Sequence, residues 1–315
     1  MESTAIATRT ANLPALSPSL SPSLFDRWIS FLDAKPKTVE TYTRNLRQFA
    51  SWLKENEISA PTRDDVLAFR EALRGAQKSA STIQGYITTV KLFFAWTAQE
   101  GLYPNVAEHV KGAKLDTEHK KDALSAEQTA HLLSGIDREE EKGSRDYAIL
   151  SLMATTGLRT VSVVAANVGD VQKVAGIPVL FYQGKGHDQK AAYVKLAAPV
   201  YAAIQSYLTL RGETSKDAPL FTSAANRNSG ERMTTRSVSR IAAGHMEESG
   251  VKTERVTAHS LRHTAATLNL LNGGTVEETM QMLGHKSITT TLIYSHALER
   301  MKNQSENRVA AAIFG

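Results

Sequence analysis

A chain of 315 residues is long for one domain and comfortable for two, each able to bury its own core. A hydrophobic share of 42% and a charged share of 22% are ordinary for a globular protein, and no stretch reads as a membrane span or a secretory signal, so a soluble cytoplasmic protein is expected. The absence of cysteine excludes disulfides, thiolate catalysis and cysteine-ligated zinc, while a formal net charge of +5 favours an anionic partner without identifying one.

Residues 1–22 read as a flexible Pro/Ser tail, in which Pro14, Pro18 and Pro22 forbid a continuous helix. From Leu24 the pattern becomes helical, with Phe25, Trp28, Ile29 and Leu32 on one face. Tyr42, Leu46, Phe49 and Leu53 mark a second helix. Thr62-Arg-Asp-Asp65 opens a third, carrying Val66, Phe69 and Leu73, as a capping box with Asp in place of the usual Glu or Gln. A fourth runs from about Ser81 to Gln99 with Ile83, Ile87, Val90 and Phe94, stopped by Gly101 and Pro104. These predict a compact helical bundle over residues 23–110. Residues 111–123 are polar, charged and almost without large apolar groups, which marks an interdomain linker. Ser125-Ala-Glu-Gln128 then resembles a capping box and opens a second domain over 124–315. That domain starts helical, with Tyr147, Leu150 and Met153 as core candidates. Around 168–196 the period changes: Val179–Gln183 and Ala191–Leu196 flank Gly184-Lys185-Gly186-His187-Asp188 and predict an antiparallel hairpin. Helical patterns return from Pro199 to the end. The fold class expected is mainly α, a helical bundle plus a mixed α/β domain with a small antiparallel sheet.

The chemistry concentrates near the C-terminus. His259-Ser-Leu-Arg262-His263 is followed by Leu283-Gly284-His285, and Tyr294 lies nine residues further on. Upstream stand Thr156-Gly157-Leu158-Arg159 and Gly184-Lys185-Gly186. Two guanidiniums, an ammonium, imidazoles and a phenol are a set able to break a phosphodiester without a metal. Attack on the phosphorus gives a five-coordinate centre with two negative charges, which the planar forked donors of Arg159 and Arg262 suit. A phenol ionises near pH 10, so Tyr294 needs a base or nearby cations to act as a nucleophile at neutral pH. His259 and His285 can hydrogen-bond phosphate oxygens or accept a proton near neutrality. His259 and His263 lie one helical turn apart, as metal ligands can, but no Glu follows His259 as in a His-Glu-x-x-His site; neither metal nor cofactor is expected.

This set, in this order, resembles the tyrosine recombinases, the phage integrase family, over nearly the whole chain from about residue 20. The resemblance implies a core-binding domain at 23–110 and a catalytic domain at 124–315 that clamp a DNA duplex. It implies that Tyr294 is the nucleophile, that Arg159, Arg262, His259 and His285 surround the scissile phosphate, and that Lys185 is the general acid that protonates the leaving 5′ oxygen. His263 takes a supporting role. The partners implied are double-stranded DNA core sites, other protomers in a tetrameric synapse with exchange of C-terminal tails, and an accessory excision factor. Only about 22 residues precede the bundle, so contact with core sites alone is expected. One departure stands out: the family usually carries an acidic residue three positions after the first arginine, where this chain has Ser162. Strand relaxation of the type IB topoisomerase kind, DNA binding without catalysis and metal-dependent hydrolysis remain the alternatives.

Overall fold

The computed structural model describes residues 22–114, 122–184, 190–212, 215–224, 228–285, 287–289, 291–292, 294 and 304–315. The Pro/Ser tail through residue 21, most of the linker (115–121) and Lys185 therefore lie outside the described residues. The chain divides into two compact units, residues 1–118 and 119–315.

The first unit holds four helices, α1 (Pro22–Phe31), α2 (Pro36–Glu55), α3 (Arg63–Gly75) and α4 (Ala80–Gln99). Pro36 starts α2, where its missing N–H costs no intrahelical bond. Asp65 does the work of a capping Glu for α3: its carboxylate accepts from Thr62 N–H at 2.7 Å and from the Thr62 hydroxyl at 2.8 Å. The apolar faces expected from periodicity meet in one aromatic-rich core. Trp28, Phe49 and Phe94 are wholly buried, and the Phe49 ring meets Phe69 edge-on at 5.0 Å. Beyond α4 the chain folds back on the bundle, where Arg70 and Lys91 donate to the carbonyls of Lys111 and Val110.

The second unit is built around α6 (Glu141–Thr156), whose Ile149, Leu150, Leu152 and Met153 are at most 1% exposed. Around it stand α5 (Ala126–Ser134), α7 (Thr160–Ala165), α8 (Ala198–Arg211), α9 (Thr235–Glu248), α10 (Ala258–Leu271) and α11 (Val276–Leu283), with α12 (Ser305–Phe314) at the end. The Ser125–Gln128 capping box forms as expected, each side chain accepting from the other's backbone N–H. The sheet has three strands, not the two of a hairpin: β1 (Val171–Val174), β2 (Ile177–Tyr182) and β3 (Ala192–Lys195), all antiparallel in that order. β1 is four residues long with three of them exposed, so it carries no apolar alternation. It is specified by a two-residue turn in which Ala175 and Gly176 both take positive φ, the geometry that matches strand twist. On β2 and β3, Leu180 pairs with Val194 and Tyr182 with Ala192; Leu180, Tyr182 and Val194 are buried in the unit's core. The observed architecture is the mainly helical one, with a small antiparallel sheet, expected from the sequence. No helix among the described residues is long and apolar enough to cross a membrane.

Candidate active site

The residues singled out in the sequence come from four separate elements of the second unit. Gly157 ends α6 at φ +64°, and Arg159 follows as the N-cap of α7. His259, Arg262 and His263 lie on α10. His285 follows α11, and Tyr294 sits in a helical turn beyond it.

Arg159, His259 and Arg262 line one cavity of about 380 Å³, with Ser239 and Lys252 also in its wall. Thr257, Ala258 and His259 line it too, so the N-terminus of α10 opens into the same space. The dipole of this 14-residue helix favours an anion there, in the same sense as the two guanidiniums.

Arg262 is 3% exposed and held by two backbone carbonyls: Nη1 donates to Gly157 O at 2.5 Å and Nη2 to Leu283 O at 2.8 Å. These bonds tie the end of α6 and the end of α11 to α10 through one side chain. Burial, and then the neighbouring Arg159, push the Arg262 guanidinium down to about 10, which leaves it charged at neutral pH.

The approach at this junction requires glycine. A Cβ on Gly157 would sit 2.4 Å from Leu283 Cδ2, and its backbone is left-handed. Gly157→Ala is therefore expected to destabilise the protein by about 1–3 kcal/mol, combining left-handed strain with overpacking. A urea midpoint lowered at unchanged slope would show it; a loss below about 0.5 kcal/mol would mean that the junction is looser than drawn.

Gly284 plays the matching part at α11. At φ +61° it lets its own N–H bond Gln281 O and the His285 N–H bond Met280 O, which ends the helix and redirects the chain. A Cβ here would meet the Tyr182 hydroxyl at 2.5 Å, so β2 presses directly on the turn that carries His285. His285 and Tyr294 do not line the cavity but lie within electrostatic reach of both arginines. Burial, Arg262 and Arg159 together push His285 down to about 4, so its imidazole is neutral at pH 7.

Tyr294 is 7% exposed and packs on Ala266 and Leu283, with its ring 5.3 Å from that of His263. Burial raises its phenol above the ordinary value by more than Arg262 and Arg159 lower it. The two arginines therefore do not preform a phenolate. His259 and His263 stack edge-on, 4.8 Å apart. Among the described residues, no group of three or more His, Asp or Glu is arranged to hold a metal.

Ser162 is 7% exposed, one turn into α7 after Arg159, and its N–H bonds Arg159 O at 2.9 Å. Lys185 lies outside the described residues, between Gly184 and Lys190 in the sequence. Three site residues escape sequence reasoning. Lys252 lines the cavity while its ammonium holds the carbonyls of Thr253 and Val256. Tyr182 abuts Gly284, and the Thr291 hydroxyl lies 2.8 Å from His285 Nδ1. Only Thr291 carries a sequence signal, one helical turn before Tyr294.

Comparison with known proteins identifies the family. Residues 122–301 match the Phage integrase family and residues 25–101 the Phage integrase, N-terminal SAM-like domain. Tyrosine recombinase XerC of Pelobacter propionicus is 31% identical over 272 residues, covering 84% of this chain and 87% of its own length. Among solved structures, a XerH site-specific recombinase bound to palindromic difH substrate superposes with a TM-score of 0.70 at 20% identity, over 93% of this chain and 84% of that one. A lambda integrase tetramer bound to a Holliday junction gives 0.67 at 18% identity, over 90% and 78%. At these identities the two structures speak for the fold.

Proposed function

The chain belongs to the phage integrase family as a tyrosine-type site-specific recombinase, and from that premise we propose that it cuts and rejoins DNA through a 3′-phosphotyrosyl intermediate. The observation that carries the reading is the convergence of Arg159, His259 and Arg262 on one cavity at a helix N-terminus, with Tyr294 and His285 beside the same arginines.

In this mechanism the scissile phosphate enters the cavity, and the two guanidiniums and the α10 N-terminus bind its nonbridging oxygens. Arg262 reaches that position already oriented by Gly157 O and Leu283 O, so little reorganisation accompanies charge development. The Tyr294 oxygen bonds to phosphorus, its proton passes to a neighbouring base, and the 5′ oxygen leaves with a proton from Lys185. The 5′ hydroxyl of a second strand then reverses the step. The energy of the broken bond stays in the phosphotyrosine, so no ATP is consumed. Ser162 brings no charge where relatives usually have one, and the groups argued above act without it.

The test uses a nicked suicide duplex on which the released 5′ fragment diffuses away. The native protein should accumulate as a covalent 3′-DNA adduct, and peptide mapping should place the DNA on Tyr294. A two-site plasmid separates recombination from simple relaxation: recombination yields deletion circles, whereas a topoisomerase activity relaxes supercoils at single sites and yields none. Absence of any adduct on every candidate site would favour DNA binding without catalysis.

A solved relative is a tetramer on a Holliday junction, and the end of this chain fits an assembly of that kind. No residue of α12 is buried, and Val309, Ile313 and Phe314 are 58%, 66% and 84% exposed. Ten residues form a marginal helix alone, and covering three such side chains stabilises by roughly 1.5–3 kcal/mol each. We assign α12 to a neighbouring protomer. Truncation after Met301 should leave single-site binding intact and raise the protein concentration needed for paired-site complexes on native gels by about tenfold or more. Normal synapsis by the truncated protein would show the tail to be dispensable.

A further inference from the structure

Thr291 is wholly buried, and its hydroxyl lies 2.8 Å from Nδ1 of His285. Among the described residues, that nitrogen is the one hydrogen-bond partner the hydroxyl has. A threonine hydroxyl carries one proton to donate, and a buried donor left unpaired is costly. Two arrangements are possible. If His285 carried its proton on Nδ1, it would donate to Thr291, and the threonine proton would be stranded in the interior. If Thr291 donates instead, both groups are satisfied and the imidazole proton resides on Nε2. With Nδ1 occupied either way, Nε2 is the ring nitrogen left to meet substrate.

Burial and the two arginines keep the ring neutral at pH 7, so only one of its nitrogens is protonated. The choice of tautomer therefore decides its chemistry. Nε2–H donates to an anionic oxygen, whereas a bare Nε2 would accept the tyrosine proton.

We propose that Thr291 is a positioning residue that donates to His285 Nδ1 and holds the ring as the Nε2–H tautomer, so that His285 meets a nonbridging phosphate oxygen as a donor and does not serve as the base for Tyr294. This deepens the recombinase reading and rests on it for the identity of the anion. It also removes His285 from the candidates for the general base and leaves that task to another group near Tyr294.

The experiment compares the full-length native protein with Thr291→Val, which keeps the shape and loses the hydroxyl, and with Thr291→Ser, which keeps the hydroxyl. On the nicked suicide duplex the Val variant should form adduct about tenfold more slowly, the effect of losing one fixed hydrogen bond, at unchanged DNA affinity. The Ser variant should stay within about twofold of native on the same reasoning. In a His285→Ala background, Thr291→Val should add nothing, because the hydroxyl acts only through the imidazole. Independently of activity, nitrogen NMR of ¹⁵N-histidine protein without DNA should show His285 protonated on Nε2 in the native and Ser forms and a mixture of tautomers in the Val form. A native Nδ1–H tautomer, an undiminished rate in the Val variant or additive losses in the double variant would each overturn the proposal. Failure of the native protein to form adduct would instead count against the recombinase mechanism, and the NMR result would still decide the tautomer.

Discussion

Tyr294→Phe is expected to abolish covalent attachment to DNA completely while leaving DNA affinity unchanged. The substitution deletes one oxygen and keeps the ring, and the ring is what packs on Ala266, Leu283 and His263. Phenylalanine keeps that packing, so the variant should still fold. The phosphate grip proposed for Arg159 and Arg262 also survives, and attraction of the phosphate backbone supplies a large share of the affinity of DNA-binding proteins. What disappears is the atom proposed to bond to phosphorus. On a denaturing gel the native protein should run as a slow covalent band after incubation with the suicide duplex. The Phe variant should give no such band while shifting the same duplex normally on a native gel. A persisting band would identify another nucleophile, with Ser295 the first hydroxyl to test, although it lies outside the described residues.

The contrast between what the sequence disclosed and what it did not follows from the range of the interactions involved. The helices of the first unit are legible because their apolar residues recur at helical spacing, as Leu46, Phe49 and Leu53 do on α2 and Val66, Phe69 and Leu73 on α3. The capping boxes at Thr62 and Ser125 are equally local, four residues each. α6 is harder to delimit by pattern, since it is buried almost all round and has little amphipathic contrast. β1 escapes because an exposed edge strand of four residues has no alternation to display.

At the site, Arg159, His259, Arg262, His285 and Tyr294 are legible as a spaced set, and the structure brings them to one region of the second unit. Their supports are not legible, because each is a contact between elements distant in sequence. Arg262 is fixed by carbonyls 105 residues upstream and 21 downstream, and no residue type announces a carbonyl. Tyr182 acts by occupying the space a side chain at Gly284 would need. Gly157 and Gly284 both take positive φ, and part of their requirement is the close approach of Leu283 and Tyr182. The burial that raises Tyr294 above its ordinary value is likewise a tertiary property.

Lys185→Ala should slow cleavage of an ordinary duplex by roughly 10²–10⁴-fold, the usual contribution of general acid catalysis. β2 ends at Tyr182 and β3 begins at Ala192, so the chain between them reverses at the sheet's end, and Tyr182 is the residue that presses on the His285 turn. A lysine three residues beyond Tyr182 starts from a strand end already docked at the site. Two roles are open to it there: protonating the leaving 5′ oxygen, or holding the DNA backbone as a point charge. The two are separable by chemistry. When the 5′ bridging oxygen is replaced by sulfur, the leaving thiolate departs without a proton, so a missing acid no longer matters. The Ala variant should then cleave the sulfur duplex at nearly the native rate while remaining crippled on the oxygen duplex. A lysine that only binds DNA would show the same loss on both, because affinity does not depend on which atom leaves. Equal slowing of the two substrates would therefore remove Lys185 from the catalytic set and turn the search for the acid to Lys252, the ammonium already in the wall of the cavity.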